Sequence, residues 1–258
     1  MLNDEVRNVW NTNAEFWDGR MGEGNAFHRT LIEPTQLRLL NLKSGQSILD
    51  VACGNGQFAR KMAEQGAIVT ATDFSEKMIE VAKSKPSSTV EYQVIDATSA
   101  SDLTKLEGRH FDAAVCTMAI MDMENIEILA GHLPRLLVKG GIFVFSILHP
   151  CFNSLDTVLC AERDEPEGNL RDRYSVRVYD YLVERNGLGI AMVDQPEKQY
   201  YFHRPVSSIL RTFFKAGFVL DGLEEPSFTD IKSDRIFDNV YRNIPAALVC
   251  RLKLSSAP

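Results

Sequence analysis

Apolar residues change their spacing along this chain, and each change marks an element. Val6, Val9, Trp10, Ala14 and Trp17 recur at helical spacing over residues 4–18, and Leu31, Ile32, Leu37, Leu39 and Leu40 do so over 29–41, with Pro34 near the first turn. Between them, residues 18–25 hold three glycines and predict a loop. From residue 47 the rhythm alternates between short apolar runs and helical stripes. Strands are expected at 47–52, 67–73, 89–95 and 111–116, and a helix over 57–65. Ser75 caps a further helix with Met78, Ile79 and Ala82 on its buried side. Residues 124–138 carry the stripe Ile128, Leu129, Leu133, Leu136 and Leu137, after which Gly140-Gly141 turns the chain into a fifth strand at 142–148. Strands almost wholly apolar and separated by helices imply a parallel sheet covered on both faces.

After His149-Pro150 the rhythm breaks. The charged run at 162–168 and the tyrosines Tyr174, Tyr179 and Tyr181 belong to an irregular insertion of about fifty residues, long for a connection. Its place at the carboxyl edge of a parallel sheet suits a lid or the wall of a substrate pocket. A helix at 206–216, closed by Gly217, and strands at 218–223 and 246–254 complete the chain. The organisation expected is an N-terminal helical cap (1–45), a nucleotide-binding α/β core (46–150), a lid insertion (151–205) and a C-terminal helix and hairpin that complete the core sheet (206–258).

Composition narrows the partners. The 258 residues carry a net charge of -7, which disfavours nucleic acid. No apolar run approaches the roughly 20 residues that span a bilayer, and the N-terminus lacks a basic-then-apolar signal pattern, so the expectation is a cytoplasmic protein without membrane association, monomeric or homodimeric. The five cysteines are odd in number and have no metal-like spacing, which predicts reduced thiols and no metal site.

The stretch with the most chemistry is 47–58, where an apolar run ends in Asp50, passes Gly54 and Gly56, and enters a helix. Such a turn brings backbone N–H groups and a helix N-terminus close to a ligand. Gly54-x-Gly56-x-x-Ala59 satisfies a relaxed dinucleotide fingerprint, with Asp73 about 20 residues on, where an acid meets ribose hydroxyls. Yet Asp50, Asp73 and Asp96 end three successive strands and converge on one sheet edge. A pyrophosphate is repelled there, whereas a nucleoside bearing an ammonium and a sulfonium is attracted. The pattern favours S-adenosylmethionine, with S-adenosylhomocysteine as product, over NAD(P) and an oxidoreductase. A catalytically silent cofactor-binding protein is a third reading.

With these residues in place, the sequence resembles the class I S-adenosylmethionine-dependent methyltransferases of the small-molecule, UbiE-like (methyltransferase type 11) group, strongly over about residues 28–150. The stretch 50–56 is similar to that family's first motif, with Ala52 where glycine is usual. Residues 72–78 resemble the second motif, which implies Asp73 on the ribose hydroxyls and Phe74 against the adenine, with Met78 alongside. Asp96-Ala97 resembles the third, implying that Asp96 accepts the adenine amino group, and Thr117 and Met118 match the wall beside the methionyl group. The residues around His149-Pro150 and His203-Arg204 look like a bacterial subgroup. The fold implied is a Rossmann-like, doubly wound seven-stranded mixed sheet whose last strand runs antiparallel.

Methyl transfer to a small-molecule acceptor at oxygen, nitrogen or carbon is an in-line displacement, so the protein aligns the acceptor and excludes water. A base is needed only where the nucleophile loses a proton, and histidine is poised for that near neutral pH. His149 and His203 are the candidates; alternatively they bond backbone groups and fix the two ends of the insertion. His28 and Arg20 stand where either could touch the cofactor carboxylate, or both are surface residues. After the fourth strand the chain reads Cys116-Thr117-Met118-Ala119, without the Asn/Asp-Pro-Pro-Tyr/Phe pattern used for base or glutamine amides. No cluster of acids and histidine supports a Mg-dependent catechol mechanism, and the cysteines are too scattered for arsenite.

Overall fold

A computed structural model describes residues 2–86, 89–228 and 235–255. Helix α1 (Leu2–Met21) continues through Gly19 and Arg20, so the expected glycine loop shrinks to residues 22–25. A glycine inside a helix costs about 1 kcal/mol. Packing offsets it: the Trp10 and Trp17 rings meet edge to face at 4.9 Å, and Val6 and Ala14 are buried. A π-helical turn (His28–Ile32) leads into α2 (Glu33–Leu40), with Pro34 in the first turn, where its missing N–H is harmless.

The core then alternates as the apolar runs predict: β1 (Ser47–Val51), α3 (Gln57–Glu64), β2 (Ile68–Asp73), α4 (Glu76–Ser84), β3 (Val90–Val94), α5 (Ala100–Leu103), β4 (Phe111–Thr117), α6 (Glu127–Leu136) and β5 (Leu137–Leu148). The Ser75 hydroxyl caps α4 by accepting from the Met78 N–H at 3.1 Å. In β5 the pairing with β4 jumps from Leu137 opposite Phe111 to Ile142 opposite Ala113, so the Gly140-Gly141 turn bulges out of the ladder. Within the insertion lie β6 (Thr157–Asp164), β7 (Arg171–Val178), β8 (Arg185–Gly189) and β9 (Gln199–His203), followed by α7 (Val206–Lys215), β10 (Phe218–Glu224), α8 (Ile236–Val240) and β11 (Ala247–Leu254).

Seven strands form one sheet in the order β10-β11-β5-β4-β1-β2-β3, with β11 antiparallel to both neighbours and the other pairs among β1 to β5 parallel. Alternation along the strands divides the core. Ile48, Val69, Val115, Val144 and Val249 face α2, α3 and α4, whereas Leu49, Ala114, Phe143, Phe145 and Cys250 face α6 and α7. Each large side chain so buried contributes about 1.5–3 kcal/mol. The order reverses between β1 and β4, and a crevice opens at that point beyond the strands' carboxyl ends.

The insertion is not irregular. It folds as two antiparallel hairpins, β6–β7 and β8–β9, outside the main sheet. Ion pairs brace the first across its strands, Arg163 to Asp172 at 2.6 Å and Arg171 to Asp164 at 3.0 Å. A separate apolar cluster of Leu31, Ile32, Phe228, Val240 and Tyr241, with Leu159 and Val176, seats that hairpin on the body.

Candidate active site

Between β1 and α3 the backbone must turn sharply, and Ala52, Gly54 and Gly56 take positive φ of 55°, 54° and 73°. Ala52 thus occupies the left-handed region that glycine enters freely and alanine only at about 1 kcal/mol. A side chain at Gly54 would meet open space, whereas one at Gly56 would lie 2.6 Å from the Tyr92 hydroxyl. Gly54 therefore leaves room for a ligand, and Gly56 leaves room for Tyr92.

This turn borders a cavity of about 460 Å³ at the carboxyl edge of the sheet. Helix α1 covers it with Asn3, Trp10, Trp17 and Met21. Asp50, Asp73 and Asp96 line it together. Asp50 is wholly buried, and neither carboxyl oxygen has a hydrogen-bond partner in the protein. Burial, reinforced by the charge of Asp73, pushes its carboxyl well above the ordinary range. Asp73 accepts from the Gly54 N–H and the Ser75 N–H, both at 2.9 Å. Burial and Asp96 still raise it to about 6 against those two bonds. Asp96 is matched on both oxygens: Asn3 and Arg7 of α1 donate to Oδ2 at 2.7 and 3.0 Å, and Thr98 donates to Oδ1 through its N–H and hydroxyl.

Phe74, Met78, Ala97, Thr117 and Met118 also lie on the wall. Arg7 reaches over the Phe74 ring at 5.8 Å. The Thr117 hydroxyl accepts from Gln36, whose own oxygen accepts from the Ser146 hydroxyl, each at 3.1 Å. His28 is buried on the same wall, its Nδ1 has no partner, and desolvation lowers its pKa to about 4. The imidazole is therefore neutral there.

Four expected residues lie off this wall. Gly56 packs on Tyr92, and Arg20 turns outward to Asp194, with 55% of its side chain exposed. His149 is buried with both ring nitrogens engaged: Nε2 donates to Glu225 at 2.9 Å, and Nδ1 accepts the Cys151 N–H at 3.2 Å. Burial lowers its pKa in spite of Glu225, and the ring joins the start of the insertion to the segment after β10. His203 lines a side cavity of about 200 Å³ instead, where its Nε2 donates to the Tyr181 carbonyl at 2.8 Å. The expectation that His149 faces the pocket fails because the ring is consumed in fastening a loop.

The opposite wall is mainly apolar, with Met121, Met123, Leu148, Ile190, Met192 and Tyr201. Three polar side chains interrupt it, Asp122, Gln199 and Asn153. Asp122 closes a 3₁₀ turn (Ile120–Asp122) beyond β4 and sits between two methionines, so no strand end marks it in the sequence. Gln199 gave no signal of its own.

Known proteins bear on this geometry. The pattern of the family described as Methyltransferase domain matches residues 49–145, which run from β1 through most of β5. That stretch, the core of the sheet, is therefore similar to a methyltransferase domain. An S-adenosylmethionine dependent methyltransferase from Mesorhizobium loti is 25% identical and superposes with a TM-score of 0.63 over 85% of this chain and 96% of that one. The Ubiquinone biosynthesis O-methyltransferase of Coxiella burnetii is 30% identical over 58% of this chain, and the match spans 64% of that relative's length. An uncharacterized protein of Haemophilus influenzae is 27% identical over 77% of each chain.

The solved relative from Mesorhizobium loti is S-adenosylmethionine dependent, and the residues present here fit that cofactor. A buried carboxyl with two bare oxygens needs a cation or strong donors as partner. Gly54 leaves the open space beside it. The strand order, with an antiparallel strand inserted next to β5, departs from the 3-2-1-4-5-6 order of dinucleotide-binding folds, and the three acids oppose a pyrophosphate.

Proposed function

We propose that the protein transfers a methyl group from S-adenosylmethionine to oxygen, nitrogen or carbon of a small-molecule acceptor held against the apolar wall. The observation that carries this reading is Asp50, buried, bare on both oxygens and turned on the cavity. Bound S-adenosylmethionine supplies an electrophilic methyl group on a cationic sulfur. Asp50 supplies the countercharge for the cationic part of the cofactor, and Asp73 stands at the end of β2 to accept from the ribose hydroxyls. Asp96, steadied by Asn3 and Arg7, faces the adenine side with Phe74. Thr117 and Met118 limit where the methionyl portion lies, and α1 keeps water out of the cavity, which favours displacement by the acceptor over hydrolysis. The name of the Coxiella burnetii relative supports a small acceptor and transfer to oxygen.

The test is transfer of tritium from methyl-labelled S-adenosylmethionine across a panel of phenols, amines, carboxylic acids and thiols. The reading predicts a labelled product from at least one class and loss of labelling by at least a hundredfold in Asp50→Ala. Binding of S-adenosylhomocysteine without transfer to any acceptor would leave a catalytically silent cofactor-binding protein.

A further inference from the structure

The acceptor end of the cavity holds a carboxyl that the cofactor does not account for. Asp122 closes a single 3₁₀ turn (Ile120–Asp122) just beyond β4, packed between β5 and β9. Its carboxyl is half-buried and lines the cavity. The hydrogen bond to that side chain is long, 3.4 Å from the Gln199 Nε2 to Oδ1. Gln199 is itself buried, and its oxygen accepts from the Gln195 amide at 3.2 Å, so its amide nitrogen is directed at Asp122. Among the described residues no lysine, arginine or histidine pairs with Asp122.

Neighbours place the group relative to the rest of the site. Tyr201 on β9, the strand packed on the 3₁₀ turn, lines the same cavity, and burial together with the charge of Asp122 raises its phenol. Asp122 lines the same cavity as Asp50, Asp73 and Asp96, so the acceptor end and the cofactor end share one space. The wall also carries Met121, Met123, Leu148 and Ile190, and Asn153, whose amide donates to the Ala246 carbonyl at 3.1 Å. Burial holds the Asp122 carboxyl well above the ordinary range, which makes its carboxylate a stronger proton acceptor than an exposed one. A carboxyl with one long amide contact in an apolar wall lacks a donor, and the ligand on that wall must bring it.

We propose that Asp122 is a catalytic residue on the acceptor side, which accepts a hydrogen bond from an O–H or N–H group of the methyl acceptor and then takes that proton. The inference rests on the methyl-transfer reading and narrows its acceptor to a small molecule with a protic heteroatom beside an apolar or aromatic body. In the proton step the heteroatom–hydrogen bond breaks, its electron pair stays on the heteroatom as the nucleophile, and the proton joins an Asp122 oxygen to give the carboxylic acid. Water takes the proton back when product leaves. Gln199 steadies the carboxyl by its amide contact.

The test uses the whole chain loaded with S-adenosylhomocysteine and three probes of similar size: phenol, benzylamine and toluene, titrated by ligand-observed magnetic resonance. The expected result is that phenol or benzylamine binds at least tenfold tighter than toluene, the tighter of the two showing whether the natural donor is a hydroxyl or an amine. Asp122→Leu should abolish that preference while S-adenosylhomocysteine affinity stays within twofold, which also shows that the variant is folded. Should Asp122→Leu not fold, the isosteric Asp122→Asn should reduce the preference at least threefold. Equal binding of all three probes, binding of neither donor probe, or a preference that survives both substitutions overturns the inference. Failure of the wild-type chain to bind S-adenosylhomocysteine is a different result and overturns the cofactor reading itself.

Discussion

Side chains denied water give the site its character. Asp50 and Asp73 fold at a cost, since burial and a neighbouring carboxyl, Asp73 for Asp50 and Asp96 for Asp73, disfavour their charged forms, and a cationic ligand relieves both. His28 acts in the opposite direction with pH. Its folded pKa is about 4 and its ordinary value 6.5, so between those values the unfolded chain binds a proton that the folded chain refuses. Stability on this account is complete above pH 6.5 and falls with acid, by about 3 kcal/mol at pH 4. Asp50 and Asp73, raised in the folded state, gain stability over the same acid range and partly mask the loss. Comparing wild type with His28→Phe isolates the histidine. Urea unfolding at pH 7 and pH 4.5 should show the variant losing about 2–3 kcal/mol less than wild type on acidification. Equal losses would mean that His28 is not neutralised by the fold.

At the scale of elements, the turn after β1 and the loops after β5 and β10 hold the crevice open. Gly56→Ala combines a left-handed backbone with a Cβ 2.6 Å from the Tyr92 hydroxyl, whereas Gly54→Ala meets only the backbone strain. Thermal unfolding should show about 1 kcal/mol lost in Gly54→Ala and at least about 2 in Gly56→Ala; the reverse order would contradict the assignment of the two glycines. His149→Ala leaves the Glu225 and Cys151 contacts unmet and is expected to cost about 2–3 kcal/mol, with S-adenosylhomocysteine affinity within twofold of wild type. A large fall in that affinity would return His149 to the site. Core strands were legible because both faces are covered, so their residues read as unbroken apolar runs such as Phe143 to Phe145. The β6–β7 hairpin is not legible in this way: its faces are largely exposed, its pairing is braced by Arg163–Asp172 and Arg171–Asp164, and no apolar alternation remains to read. Gly19 is the converse case: a glycine at that position predicts the end of α1, and packing of Trp17 carries the helix onward.

Across the whole molecule, three units meet at one place. The strand reversal between β1 and β4 opens the crevice, α1 covers it from the N-terminal side through Arg7 and Asn3 on Asp96, and β9 closes the acceptor end with Gln199 and Tyr201. Asp50, Asp73 and Asp96 lie at or near the ends of β1, β2 and β3, which the apolar runs mark, whereas a strand-end position does not tell whether a histidine ring faces the crevice or the loop behind it. The account stands on Asp50 and Asp73 forming a site for an adenosyl ligand with a cationic tail. Calorimetric titration of wild type, Asp50→Asn and Asp73→Ala with S-adenosylhomocysteine at pH 7.5 tests this most directly. Saturable one-to-one binding by wild type, weakened about tenfold or more in each variant with folding intact, is the predicted result; absence of binding to the wild-type chain, or equal affinity in all three proteins, would contradict it.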